Sequence, residues 1–195
     1  MTRYILLLAF SLLLWTSCSE DDGPLNPPDF TESDEYAVWC ATLDSMVIWE
    51  KDDVVVLRSF TDAWALDDPA TTAHLKSQLK VTDEELMNYD TRNAASSEIR
   101  GYTLDLCLDN ECVLLTEQEI ESILAAGGYQ ELYRRYPKSN GVTTLSHVGF
   151  NASRTSALVY ISHTPEFLAG AGWAVLLRKV SGTWVVQAST IVWVS

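Results

Sequence analysis

From Thr143 to the end of the chain, apolar and polar residues alternate with a period of two, the repeat of a strand with one face buried. The pattern predicts strands near 143 to 150, 156 to 163, 171 to 180 and 183 to 194. Between them lie the polar loop Asn151 to Thr155, a longer loop around Pro165 and the two-residue turn Ser181-Gly182. Successive strands joined by such short connections form an antiparallel meander. Across the last turn Val180 pairs with Thr183, so Trp173, Val175 and Leu177 share a face with Trp184, Val186 and Ala188. That face is the expected core. The other mixes Arg178, Gln187 and Ser189 with Leu176, Ile191 and Trp193, which marks it as partly covered or as a binding surface.

Upstream the period changes. Between Ser33 and Val47 the residues Tyr36, Trp39, Cys40, Leu43, Met46 and Val47 recur at three and four, one face of a helix. The β-branched run Val54 to Phe60 reads as a buried strand. Asp68-Pro69 opens a helix over roughly 69 to 79, with Asp68 as cap and Pro69 at the first helical position. Thr82 to Glu85 is a capping box for a short helix through Tyr89, and residues 91 to 101 read as a polar loop. Thr116 to Glu119 is a second capping box, whose helix buries Ile120, Ile123 and Leu124 and stops at Gly127-Gly128. Tyr129, Leu132, Tyr133 and Tyr136 continue the spacing up to Pro137. The expected fold is α+β: N-terminal and central helices on a C-terminal four-stranded antiparallel meander sheet, in one domain over 31 to 195.

Before that domain the chain carries a short basic start, Met1 to Tyr4, an apolar run from Ile5 to Trp15 too short to span a bilayer, and the small residues Thr16-Ser17 ahead of Cys18. This layout resembles a bacterial lipoprotein precursor, although Trp15 stands where that family usually has an aliphatic residue. The resemblance implies a signal peptide over 1 to 17, a diacylglyceryl group on the Cys18 thiol and a palmitate-type acyl chain on the freed amine. An ordinary cleaved signal peptide and an uncleaved anchor are the alternatives. Residues 18 to 30 are acidic and carry Gly and Pro, as a flexible tether would. Acidic residues just after the cysteine also resemble the export signal of surface lipoproteins, which implies lipid anchoring in the outer membrane, at the cell surface or on the periplasmic face. With 27 Asp+Glu against 13 Lys+Arg, net charge −14, the chain repels nucleic acid and anionic lipid, so membrane attachment must come from the acyl chains.

With Cys18 assigned to lipid, Cys40, Cys107 and Cys112 remain. The segment Thr103 to Leu115 reads as two short strands around Asp109-Asn110, a hairpin that sets Cys107 opposite Cys112 at a spacing a disulfide accepts. Cys40 is then a buried thiol. Four residues between Cys107 and Cys112, with no second ligand pair nearby, do not suit a metal.

Several stretches together resemble a widespread group of uncharacterised bacterial secreted and lipid-anchored proteins: Glu35 to Val38, Leu43 to Ser45, Val55 to Arg58, Val113 to Glu119, Tyr133 to Pro137, Leu145 to Asn151, Ala157 to Tyr160, Gly182 to Val186 and Ile191 to Ser195. The resemblance spans most of 35 to 195 and implies no activity. Some relatives have a Gly/Cys-rich loop where this chain has Pro165 to Gly172.

Chemistry is sparse. Gly170-Ala171-Gly172 is not a dinucleotide fingerprint, because Val175 stands at the third glycine position and a strand follows where a helix is required. No G-x-S-x-G, H-E-x-x-H or P-loop pattern occurs, and no cofactor or metal is implied. The sharpest catalytic candidates are His147 and His163 with Glu166 and Tyr160, as base, acid and orienting group. The favoured alternative leaves His147 on the solvent side of its strand and His163 capping a loop. Arg58, ending an apolar strand, needs a carboxylate, with Asp62 or Glu119 the expected partner, and gripping an anionic ligand is its minority role. Arg178 and Trp193 are further ligand-binding candidates, and Trp49, Trp64 and Trp193 are the tryptophans suited to stacking on sugars. These features favour a non-catalytic binding or interaction module with an envelope protein or glycan as partner. A hydrolase of envelope or extracellular polymers using His147, His163 and Glu166 is the rival. An enzyme requires titratable groups converging at a cleft, whereas a binding module requires an exposed aromatic patch.

Overall fold

The computed structural model describes residues 30–45, 54–62, 64, 66, 68–100 and 110–195. Cys18, Trp49 and Cys107 lie outside the described residues, as do the expected signal peptide and nearly all of the tether. The fold is α+β, with four helices and a seven-stranded mixed sheet among the described residues. The helices are α1 Phe30–Ser45, α2 Pro69–Leu79, α3 Asp83–Arg92 and α4 Glu117–Arg135. The strands are β1 Val54–Arg58, β2 Glu111–Leu115, β3 Ser139–Leu145, β4 Gly149–Phe150, β5 Ser156–Glu166, β6 Ala169–Val180 and β7 Thr183–Val194. Their order is β2-β1-β3-β5-β6-β7, with β4 pairing β5.

The antiparallel meander exists as β3, β5, β6 and β7, but it is only part of the sheet. β1 adds to β3 in parallel, and β2 adds in parallel to β1. The β1 sequence explains its inner position. Val54 to Leu57 are all buried, and a strand with no polar face belongs where both faces are covered. Val55 and Leu57 pack toward α1, whereas Val54 and Val56 pack toward α4. β2 reaches β3 through α4, the helical crossover that two parallel strands require. Cys112 of β2 pairs in register with Val55, and the other arm of the expected cysteine hairpin, with Cys107, lies outside the described residues. Cys40, expected as a lone thiol, is itself disulfide-bonded.

Helices cover both faces of the sheet. On one, Tyr36, Val38, Trp39 and Leu43 of α1 meet Leu145, Val159, Ile161, Val175, Leu177 and Trp184. On the other, α2 and α3 bury Leu75, Leu79, Leu86 and Tyr89 against Leu158, Tyr160, Ala174 and Leu176, and α4 buries Ile120, Ile123 and Leu132 against Val54, Val56 and Val142. The helix starts follow the sequence signals. Asp68 accepts from the amides of Ala70 and Thr71, and both capping boxes, Thr82 with Glu85 and Thr116 with Glu119, are formed. α4 breaks at Gly127-Gly128, where Gly128 has φ 64°.

The face expected to be partly covered or a binding surface is partly covered, by α2 and α3 around Leu176, and two bulges in β7 change which residues turn toward them. Leu176 pairs with Ala188 but Leu177 pairs with Val186, so Gln187 is the extra residue; the next break leaves Val192 extra, between Trp173↔Ile191 and Gly172↔Trp193. One inserted residue switches a strand's faces. Ala188 thus leaves the Trp173 face and joins Leu176, Val192 and Trp193 beneath α2. Trp193 lies across Gly172, where a Cβ would collide with the indole, and reaches Gly170, where a Cβ would be a tight 3.2 Å from its ring; its Nε1 donates to Tyr160 Oη at 2.9 Å. The glycines once considered for nucleotide binding make room for that ring.

Candidate functional site

The site assembles at the end of β3. After Leu145 the chain passes through His147 to β4, and Asn93 at the end of α3 clamps this turn: its Oδ1 accepts from the His147 amide at 2.8 Å and its Nδ2 donates to the His147 carbonyl at 3.1 Å. A second segment, Ser96 to Ile99, runs beside the chain that leaves β1. The Thr61 amide donates to Ser97 O, the Ser97 amide donates to Thr61 Oγ1, and the Ile99 amide donates to Ser59 O. A third element, α1, contributes Glu35, which is 6% exposed.

These three pieces bring together Ser97, His147 and Glu35. His147 Nδ1 is 3.0 Å from Glu35 Oε1, and His147 Nε2 is 2.9 Å from Ser97 Oγ. The protonation pattern follows from the partners. An ionised carboxylate only accepts, so Nδ1 carries the proton, and the lone pair of Nε2 accepts from the Ser97 hydroxyl. Burial pushes the Glu35 carboxyl up, but the hydrogen bond from His147, the Arg92 guanidinium and the Val148 amide outweigh it and hold Glu35 below the usual carboxylate range. Arg92 Nη2 lies 2.8 Å from Glu35 Oε2, and the Val148 amide donates to Oε1 at 2.8 Å. The carboxylate is therefore ionised and fully engaged. The order hydroxyl, imidazole, carboxylate is that of a serine nucleophile, its base and the group that orients the base.

Next to Ser97 is a cleft of about 350 Å3, lined by Thr61, Asp62, Trp64, Asp90, Ala95 and Ser96 among others. Trp64 stacks on Tyr160, ring centroids 6.5 Å apart, while its carbonyl accepts from the Tyr89 hydroxyl at 3.4 Å. Burial raises the Tyr89 phenol far above its ordinary range, so it stays protonated.

The other sequence candidates do not converge with His147. His163 is buried on β5; its Nε2 donates to Asn140 O at 3.2 Å, so its Nδ1 accepts from Thr143 Oγ1 at 3.0 Å. Burial lowers the pKa of His163 against the opposing pull of the Asn140 carbonyl. Tyr160 lies on the opposite sheet face, under α2 and α3, and Glu166 is exposed at the end of β5. Nor is His147 on a solvated strand face: it is in a loop, with both ring nitrogens engaged. Arg58 pairs with Glu117 rather than with Asp62 or Glu119, since Glu119 closes its own capping box. Arg178 reaches Glu85, which is wholly buried, at 3.3 Å. With Trp193 packed inward, these three residues serve the fold.

Sequence reasoning missed Ser97, Glu35 and Arg92. Glu35 and Ser97 stand 112 and 50 residues from His147, so no local spacing links them. The one available signal was a pair of serines in a polar loop beside a chain with few histidines. Compared with protein-family models, curated proteins and solved structures, the chain matches none.

Proposed function

We propose that this chain is a bacterial envelope hydrolase, tethered through lipid on Cys18, that cleaves acyl esters with Ser97 as nucleophile, His147 as base and Glu35 as the residue orienting it. The hydrogen-bonded chain Ser97–His147–Glu35, beside a cleft lined by the adjoining Ser96, Thr61 and Asn93, supports this reading. Ser97 Oγ attacks the ester carbonyl carbon as His147 Nε2 takes its proton, and Glu35 stabilises the imidazolium. The tetrahedral adduct collapses with loss of the alcohol, which takes the proton from His147. Water, deprotonated by His147 in turn, then releases the acid and regenerates Ser97. The Ser97 amide is committed to Thr61 Oγ1, so the donors nearest in sequence for the developing oxyanion are the amides of Ser96 and Glu98.

The test uses p-nitrophenyl acetate turnover and labelling by a fluorophosphonate. Labelling is expected on Ser97, and Ser97→Ala is expected to lower kcat by about 10³-fold or more. If the unaltered chain neither turns over ester nor takes label, the hydrolase reading fails and a tethered non-catalytic interaction module takes its place. The tether has its own test. Cys18→Ser is expected to move the chain from the membrane pellet to the soluble fraction, and retention in the pellet would refute lipid anchoring.

A further inference from the structure

We infer that the chain carries a second binding site, a groove for neutral, hydroxyl-rich sugars between the kink of α4 and the tip of the β5–β6 hairpin. The groove has a volume of about 670 Å3, within the roughly 300–1,000 Å3 usual for small-ligand sites. Its walls combine the aromatic side chains of Tyr129, Tyr133 and Phe167 with the polar groups of Gln130, Asn140 and Glu166.

The fold builds this groove on purpose-fitted parts. The break at Gly127-Gly128 lets the second half of α4 leave the line of the first, which opens the space beside Tyr129. Tyr133 donates its hydroxyl to Pro165 O and so ties the helix to the hairpin. The Tyr129 and Tyr133 rings are 6.3 Å apart and tilted by 45°. On the hairpin, Phe167 is 87% exposed and Leu168 81%. Neighbouring large apolar side chains held in water at the mouth of a groove are costly unless something covers them. The floor is fixed by His163, whose Nε2 donates to the Asn140 carbonyl. His163 is a positioning residue for this groove and takes no part in the Ser97 relay.

The chemistry of the walls selects the ligand. A sugar ring has an apolar C–H face, which an aromatic ring covers, and a rim of hydroxyls, which amides and a carboxylate bind as donors and acceptors. A purely apolar ligand would strip water from Gln130, Asn140 and Glu166 and return nothing. An anionic ligand would meet Glu166, no Lys or Arg in the lining, and a chain of net charge −14. The groove opens at the start of β3 and the Ser97 relay lies beyond its end, so along a seven-residue strand the two sites are about 20 Å apart. The sugar site therefore stands whether or not Ser97 is a nucleophile.

Calorimetric titration of the full chain carrying Ser97→Ala, which cannot turn over ester, is the test. The probes are maltohexaose, cellohexaose and chitohexaose, with polygalacturonate as the anionic control. At least one neutral oligosaccharide is expected to bind with Kd between about 10 μM and 1 mM. Phe167→Ala is expected to weaken it tenfold or more; this side chain supports no core, so the variant folds. Gln130→Ala, at an exposed helix position, is expected to weaken it severalfold. The inference is overturned if none of the three neutral probes binds at about 10 mM, if polygalacturonate alone binds, or if binding survives Phe167→Ala undiminished.

Discussion

Gly149→Ala is expected to remove a large part of the stability of the fold and, with it, ester turnover. A Cβ at Gly149 would lie 2.5 Å from Tyr89 Cβ and 2.6 Å from Tyr89 Cα and N. These are closer than real Cβ atoms come, and two of the three obstructing atoms are backbone. Elsewhere, overpacking by a methyl costs about 1–3 kcal/mol because side chains shift to accept it. Here α3 itself must lift from β4. That motion strips Leu86 and Tyr89 from the core under α3, and it withdraws Asn88, whose Oδ1 accepts from the Phe150 amide at 2.7 Å. It also displaces Arg92 and Asn93, which hold Glu35 and the His147 turn. A loss at or above the upper end of that range is expected from a total of about 5–15 kcal/mol. Urea unfolding followed by tryptophan fluorescence measures it, with fluorophosphonate labelling of whatever remains folded. A midpoint equal to that of the parent would mean that α3 and β4 do not meet as closely as described.

The parts of this molecule that sequence reasoning could read are those written over a few consecutive residues. Asp68-Pro69, the two capping boxes, the Gly127-Gly128 break and the Ser181-Gly182 turn each place a local hydrogen-bonding or backbone requirement next to the residue that meets it. The parallel half of the sheet has no such mark. The segment before β2 and β2 itself alternate like two arms of a hairpin, and nothing in them says that Cys112 will lie beside Val55, across the whole of α2 and α3. The bulges at Gln187 and Val192 are equally silent. The first puts Ala188 in place of Gln187 on the Leu176 face, the second sets Val192 beside Trp193, and the helices α2 and α3 lying over that face cover them. His147 was legible as a candidate because histidines are few. Its partners were not, because Glu35 belongs to the first helix and Ser97 to a loop with no periodicity.

Glu35 is the residue on which stability and chemistry depend together, and two substitutions separate them. Glu35→Ala leaves the His147 Nδ1–H, the Val148 amide and the Arg92 guanidinium without their acceptor in a place nearly closed to water. Breaking a buried charge pair costs about 3–5 kcal/mol, and Arg92, with 23% of its side chain exposed, recovers some of that from solvent. A loss near the lower figure is expected in urea unfolding. Glu35→Gln keeps an acceptor of the same shape and is expected to unfold nearer to the parent. It removes the charge that fixes the His147 tautomer and stabilises the imidazolium, so kcat for p-nitrophenyl acetate is expected to fall about 10⁴-fold. Acid dependence gives the third readout. The folded-state pKa of Glu35 lies below 4.5, so the unfolded chain binds the extra proton first; the stability Glu35 contributes is complete above about pH 4.5 and is lost as pH falls through the folded value. His163, lowered from 6.5 by burial, acts with the same sign in a higher window, because the unfolded histidine protonates before the folded one. Melting temperature is therefore expected to decline as pH falls from 6.5 and again below about 4.5. In Glu35→Gln only the second decline should shrink. If the variant kept the parent's full acid slope below pH 4.5, Glu35 would not be held ionised by His147 and Arg92, and the imidazole would have no fixed orientation toward Ser97.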